Sequence, residues 1–417
     1  MTDKTSNEAP KARPLDGIRV LELGQLIAGP FAGSLLAYYG AEVIKVEPPD
    51  GGDQLRGWRE LDENGMSFWW RGMSRNKKCV TINLRERRGQ ALVKSLTERV
   101  DVVLENFRPG TLEKWGLAPD ELRKVNPGLI VARVSGYGQT GPLAARPGFA
   151  SACEGYGGFR HINGFPGQAP VRPNISMGDT LAAMNAVIGI LLALVHRNRI
   201  EADRLPGAAG GVSGQDVDIA IFEAVYGMLE STVSEFDARG VIREPSGTTL
   251  TGIVPTNTYP CQDDKYVVIG GNGDSIYKRL MKATGRTDLA DDPRLATNAG
   301  RVTHQAEVDQ AIAEWTRTLP LQAVMQRLDE AGVPNGPIFS VQDMFADEHY
   351  QARGLFEQVE VDGRPLKIPA YRPLLSATPG RTDWPGAALG AHNEEILGGL
   401  LGLDEATRQT LAENGII

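Results

Sequence analysis

Asp179 lies in the segment PVRPNISMGDT (170–180), directly before an apolar helical stretch. A carboxylate at that place can do one of two things. It can be an N-cap, its oxygen accepting the first free amides of the helix. It can also be a nucleophile, because the same amides and the helix dipole favour its ionised form. A second cluster, ELGQLIAGPFAG (22–33), leaves a predicted strand and enters a predicted helix, and its glycines let backbone amides approach a ligand phosphate. Glu47 ends the next strand roughly twenty residues on, as in a dinucleotide site. Yet Gly24, Gly29 and Gly33 do not make G-x-G-x-x-G, and Pro30 suits the first residue of a helix. A structural turn, or a loop touching another nucleotide-like ligand, are the alternatives to a nicotinamide site.

Basic groups gather at two strand edges, in SRNKKCV (74–80) and ENFRPGTLEKWG (105–116). Arg75, Lys77, Lys78, Arg108 and Lys114 could hold the phosphates of an acidic ligand, and Phe107 and Trp115 could face an adenine ring. The plain alternative is a solvated basic edge. SGYGQTGP (135–142) follows the predicted strand LIVARV, at the strand end where open α/β sheets bind ligands. Tyr137 could donate a hydrogen bond there, or the segment could be only a loop.

The elements that must position these groups follow a strand-then-helix rhythm from Ile18 onward. IRVLEL, EVIKVE, CVTINL, DVVLEN and LIVARV are continuous Val/Ile/Leu runs separated by helical stretches. Such runs predict parallel strands covered on both faces, a doubly wound, mostly parallel α/β sheet in a Rossmann-like large domain. That domain is expected over 14–214, after a flexible tail at 1–13, with a Gly/Ala-rich flexible connection over 198–214. A linker and helix are expected over 215–240. A smaller α+β domain is expected over 241–338, with the strand YVVIGG and helices near 275–284, 302–318 and 321–331. The chain then returns over 339–417 to the large domain, where EQVEV and RPLKIPA flank the hairpin signal Asp362-Gly363 and two terminal helices follow His392 and Leu403.

Composition bounds the function. With 41% hydrophobic and 23% charged residues the chain folds and buries a sizeable core. A net charge of -8 argues against a nucleic-acid partner. Cys79, Cys153 and Cys261 are too widely spaced for a zinc site or a disulfide framework, which fits a reducing, cytoplasmic compartment and no metal. The stretch Met1 to Arg13 has neither the apolar run of a secretory signal nor the acid-poor character of a transit peptide. The apolar run Leu181 to Val195 falls short of the roughly 20 residues that cross a bilayer, so a buried helix and no membrane association are expected.

In this order, PLDGIRVLELGQLIAGP, GAEVIKVE, NKK, ENFRPG, SGYGQTGP, VRPNISMGD, GVPNGPI and LGAHNEEIL cover nearly all of the chain, and together they resemble the family III CoA-transferases of the CaiB/BaiF type. The resemblance implies that Asp179 is the aspartate that becomes acylated. It places Gln25, Leu26, Ile27 and Ala28 in the loop beside the thioester and Tyr137 in the active site. Arg75, Lys77, Asn106, Phe107, Arg108, Lys114 and Trp115 would then line the coenzyme A site. It further implies two interlocked ring-shaped subunits in a homodimer, acyl-CoA and a carboxylic acid as substrates, and no tightly bound cofactor beyond coenzyme A as part of the substrate.

Two departures from family patterns narrow the reaction. Oxalate-specific members carry His and Gln where this chain has Gln25 and Ile27, and their mobile glycine run is missing here, which points away from oxalate. Members that racemise 2-methylacyl-CoA use a His where this chain has Phe149, which points away from α-proton exchange. The reading is therefore a CoA-transferase taking coenzyme A from an acyl-CoA, with succinyl-CoA as the expected donor, to a dicarboxylate of four to six carbons. Its distal carboxylate would meet Arg160, His161 and Arg172 in FRHINGFPGQAPVRPN (159–174). The alternatives are a CoA-dependent isomerase or racemase on the same fold, and a nicotinamide-binding or non-enzymatic protein.

Overall fold

The computed structural model describes residues 11–201 and 213–417. The tail expected over 1–13 and the connection expected over 198–214 lie largely outside these residues. Strands β1 (Arg19–Glu22), β2 (Glu42–Glu47), β3 (Lys77–Thr81), β4 (Val102–Glu105), β5 (Ile130–Ser135) and β6 (Asp216–Ala220) form one sheet. All pairs are parallel and the order is β3-β2-β1-β4-β5-β6. Leu21 is in register with Ile44 on one side and Val103 on the other. Because successive side chains of a strand point to opposite faces, the Val/Ile/Leu runs supply two cores at once. Val20, Val43, Val102, Leu104, Ile130 and Ile219 enter one cluster, and Leu21, Ile44, Val46, Val103 and Val131 the other. Each fully buried side chain of this kind contributes about 1.5–3 kcal/mol.

Helices close both faces. α1 (Ala28–Tyr38) covers the first, α2 (Arg87–Thr97) covers the second through Val93 and Leu96, and α3 (Ala150–Tyr156) contributes Cys153 to the first. The long α4 (Met177–Glu201) packs on the first face, followed in the chain by α5 (Ile221–Tyr226) directly after β6. On α4, Ala182, Ala183, Ala186, Ile190, Ala193 and Leu194 are buried, whereas Met184, Ile188, Leu192 and Val195 are exposed. The helix expected to be buried thus has one buried and one exposed face, and Met177–Arg199 is long and apolar enough to cross a membrane by length and composition. Within the linker and helix expected over 215–240 the linker is corrected to a strand, while helices follow at Ile221–Tyr226 and Thr232–Arg239. DVDIA alternates acidic with apolar residues, so it reads weakly from sequence, but Ile219 and Ala220 are buried and the segment pairs with β5 as an edge strand.

The chain forms two compact units. One runs up to Phe159, resumes at Pro173–Leu229 and is completed by Ala352–Ile417; the other comprises Arg160–Arg172 and Glu230–Gln351. The second unit is therefore larger than the expected 241–338 and takes in a segment from before Asp179. It contains the antiparallel strands β7 (Thr256–Pro260), β8 (Tyr266–Gly270) and β9 (Asn335–Pro337). With them pack α6 (Asp274–Ala283), α7 (Gln305–Thr316) and α8 (Leu321–Glu330), around Tyr259, Val267, Ile269, Leu280, Ile312 and Leu328. In the returning segment of the first unit, β10 (Phe356–Val361) and β11 (Arg364–Pro369) make the hairpin foreseen from Asp362-Gly363. Both turn residues have positive φ, 51° and 76°, as a two-residue turn between twisted strands requires.

Candidate active site

The order of the sheet reverses direction between β1 and β4, and the loops leaving the carboxyl ends of these two strands diverge there, where such sheets bind ligands. Asn106, directly after β4, joins them. Its side-chain Nδ2 donates to the Gln25 carbonyl and its Oδ1 accepts from the Gln25 N–H, both at 2.8 Å. Gly24 is required beside it, since a Cβ there would lie 2.6 Å from Asn106 Oδ1. Leu26 adopts a left-handed backbone, φ 66°, and its N–H donates to both oxygens of Asp53 at 3.1 Å. A leucine in that region costs on the order of 1 kcal/mol, which the two anchors offset. Gln25 and Leu26 stay partly exposed while Ile27 and Ala28 are buried at the start of α1. Pro30 is the third residue of α1 rather than its first, still within the turn whose amides need no helical partner.

Beneath the loop lies a buried charge network. Lys45 Nζ sits 2.9 Å from Asp53 and 3.1 Å from Glu22, and donates to the Gly24 carbonyl at 2.9 Å. Burial opposes its charge, but Asp53, Glu22 and Glu47 outweigh burial and hold its pKa above the ordinary lysine range. Lys77 Nζ lies 2.8 Å from Glu22 and donates to the Pro30 carbonyl at 2.6 Å. Arg75 donates to the carbonyls of Gly72 and Pro369, and both side chains are fully buried. The expectation that Arg75 and Lys77 hold ligand phosphates is thus corrected: their charges are taken up inside the protein. Lys78 pairs with Glu42 and Glu395. Glu47, the acid that a dinucleotide ribose would need, is buried and bonded to Arg56 at 2.7 Å.

Arg108 and Lys114 are exposed and form no ion pair among the described residues. Phe107 and Trp115, their neighbours in the chain, meet edge to face, with centroids 5.1 Å apart. Below, the buried carboxyl of Glu105 accepts from Arg133 Nε at 2.8 Å and from the Phe107 N–H at 2.7 Å. Burial pushes its pKa up to about 7 against the pull of Arg133.

A second group of residues surrounds the start of α4. Asp179 is the third residue of that helix, in its first turn, so the expectation of an N-cap is corrected. The amide before it, Gly178 N–H, donates to Glu154 Oε1 at 3.1 Å. Cys153, next to Glu154 on α3, is fully buried, and its thiol donates to the Gly136 carbonyl at 3.3 Å. Burial, and next the negative charge of Asp179, push this thiol up to about 11, against a hydrogen bond with Tyr137. The thiol therefore stays protonated near neutral pH. Tyr137 is buried, with its ring against Tyr156 and Phe222 at 5.4 and 6.1 Å and the Arg146 guanidinium 5.7 Å away. The structure thus brings Tyr137 and Asp179 together around Cys153.

Cys153 and Glu154 were not foreseen as site residues. The signal that could have found them is their spacing from Ala150, three and four residues, which places all three on one helical face. Arg160, His161 and Arg172 belong to the second unit, where His161 Nε2 lies 3.8 Å from Glu244. Among the described residues no group of three or more side chains could hold a metal ion.

Comparison with known proteins gives the family. The family described as CoA-transferase family III matches residues 15–393. A succinyl-CoA–D-citramalate CoA-transferase of Chloroflexus aurantiacus is 50% identical over 394 residues, 94% of this chain and 95% of that protein. The alpha subunit of a succinyl-CoA–L-malate CoA-transferase of Chloroflexus aurantiacus is 39% identical over 407 residues, 97% of this chain and 92% of that protein. The crystal structure of a CAIB/BAIF family protein from Brucella suis superimposes with a TM-score of 0.79 at 32% identity, covering 94% of this chain and all of the other. The chain belongs to CoA-transferase family III and is an enzyme of the CoA-transferase class.

Proposed function

We propose that the enzyme moves coenzyme A from succinyl-CoA to a dicarboxylate of four to six carbons, with Asp179 as covalent nucleophile. The observation that carries this reading is the placement of Asp179 in the first turn of α4, beside a Tyr137–Cys153 pair whose thiol is held protonated. The relatives that act on D-citramalate and L-malate support a 2-hydroxy dicarboxylate as acceptor.

The steps balance without a redox partner. An Asp179 oxygen attacks the succinyl-CoA carbonyl, the C–S bond breaks, and a mixed anhydride and coenzyme A thiolate result. The thiolate attacks the aspartyl carbonyl, releasing succinate and leaving an aspartyl-CoA thioester. The acceptor carboxylate then displaces the thiolate as a second anhydride forms, and the thiolate attacks the acceptor carbonyl to give the product and free Asp179. Water must be excluded throughout, since it would hydrolyse either anhydride. The loop of Gln25 to Ala28 lies beside the thioester in this reading, and Arg108, Lys114, Phe107 and Trp115 are left to meet coenzyme A.

A mass-spectrometric screen of succinyl-CoA, acetyl-CoA and formyl-CoA against mono- and dicarboxylates tests the assignment. Transfer from succinyl-CoA to citramalate, malate or glutarate, with little to monocarboxylates, is expected; transfer to monocarboxylates alone would contradict it. The working unit is proposed to be a homodimer of interlocked subunits, supported by the exposed apolar side chains Met184, Ile188, Leu192 and Val195 on α4. Folded, active monomer in sedimentation at nanomolar concentration would contradict that.

A further inference from the structure

Glu154 takes no part in the transfer chemistry above, yet its side chain is fully buried and its Oε1 accepts the Gly178 N–H. Gly178 is the second residue of α4, so this amide is one of the four that find no carbonyl within the helix. Usually the residue just before a helix supplies the acceptor. Here a different helix supplies it, from 24 residues earlier in the chain. Gly178 is also tightly enclosed. A Cβ there would lie 3.1 Å from Ile221 Cγ2 and 3.3 Å from both Ala150 Cβ and Glu154 Cγ. The main chain is therefore held by α3 and α5 at the residue immediately before Asp179, and the holding contact that carries polarity is Glu154.

We infer that Glu154 is a positioning residue for the transfer reaction: by accepting the Gly178 N–H it fixes the main chain before Asp179, and with it the approach of that carboxylate to an acyl carbonyl. The inference rests on the reading of Asp179 as nucleophile. Attack on a carbonyl is sensitive to placement, and a misplacement of about 1 Å can cost on the order of 100-fold in rate. What matters in this account is an acceptor oxygen at the right reach, not a negative charge.

Two conservative variants separate those roles. Glu154→Gln keeps an acceptor oxygen at the same reach without charge, whereas Glu154→Asp keeps the charge and withdraws the oxygen by one methylene. With succinyl-CoA as donor, Glu154→Asp should lose roughly 100-fold in kcat with little change in KM, and Glu154→Gln should stay near wild type. Gly178→Ala, which crowds Ile221 of α5 and Ala150 and Glu154 of α3 so that the packing must shift by a few tenths of an ångström, should lower kcat in the same way even where Glu154→Asp does not fold. Equal losses in Gln and Asp variants, a wild-type kcat in Glu154→Asp or Gly178→Ala, or an effect confined to KM would overturn the inference. The rate at which an acyl adduct forms on Asp179 in a single turnover keeps the two readings apart. No adduct in the wild type defeats the nucleophile itself, whereas an adduct forming at an unchanged rate in Glu154→Asp defeats only the role of Glu154.

Discussion

Asn106 and Gln25 are joined as two strands would be, the side-chain amide of one exchanging a donor and an acceptor with the backbone of the other at 2.8 Å. This places the end of β4 against the loop that leaves β1. Asn106→Ala removes both bonds and strands a Gln25 N–H, so unfolding free energy should fall by about 1–3 kcal/mol. Because the same loop is proposed to lie beside the thioester, KM for succinyl-CoA should rise as well. Denaturant titration and initial rates check both, and a loss of stability with unchanged kinetics would detach the loop from the ligand.

Asp53 anchors the left-handed Leu26 and pairs with Lys45 in the interior. Burial raises its pKa, but Lys45 and the amides of Leu55 and Leu26 outweigh burial and hold it below the usual carboxylate range. Asp53→Ala leaves the Lys45 ammonium without its nearer partner and should destabilise by about 3–5 kcal/mol, read as a lowered urea midpoint. Replacing Leu26 by Gly should instead relieve backbone strain of on the order of 1 kcal/mol.

Glu105 predicts a pH dependence of stability. Its pKa, pushed by burial from the ordinary 4.5 up to about 7, means the folded protein binds more protons than the unfolded chain between those values. Its contribution is fully present below pH 4.5 and is lost as pH rises through about 7, with Arg133 opposing and Glu113 reinforcing the shift. Glu105→Gln removes this titration. Melting of wild type and variant followed from pH 5 to pH 8 should show the wild type losing ground by on the order of 3 kcal/mol. Parallel curves would contradict the raised pKa.

The legible parts of this molecule are those where one residue's type carries its own structural reason. Val43, Ile44 and Val46 announce a strand buried on both faces, and Asp362-Gly363 announces a hairpin, without reference to anything distant. Lys77 shows the limit. From sequence it is a cation at a strand edge, and only folding reveals that Glu22, 55 residues away, neutralises it. Asp179 is readable from sequence as a carboxylate at the start of α4, but the acceptor of the neighbouring Gly178 amide comes from Glu154, 24 residues earlier, which no local pattern announces. Arg160 and Arg172 are near Asp179 in sequence but belong to a different compact unit, a division that no local pattern announces. β6 was missed because an edge strand with alternating acids lacks the continuous apolar run of its neighbours.

The most direct test of the account is peptide mass spectrometry of enzyme incubated with succinyl-CoA and then hydroxylamine, which displaces the acyl linkage and leaves a hydroxamate. The hydroxamate is expected on Asp179 in the wild type and absent from Asp179→Asn. That variant should remain folded, losing only about 0.3–1 kcal/mol of helix-dipole interaction, while transfer disappears. An unmodified Asp179 in the wild type, together with substantial transfer by Asp179→Asn, would contradict the mechanism.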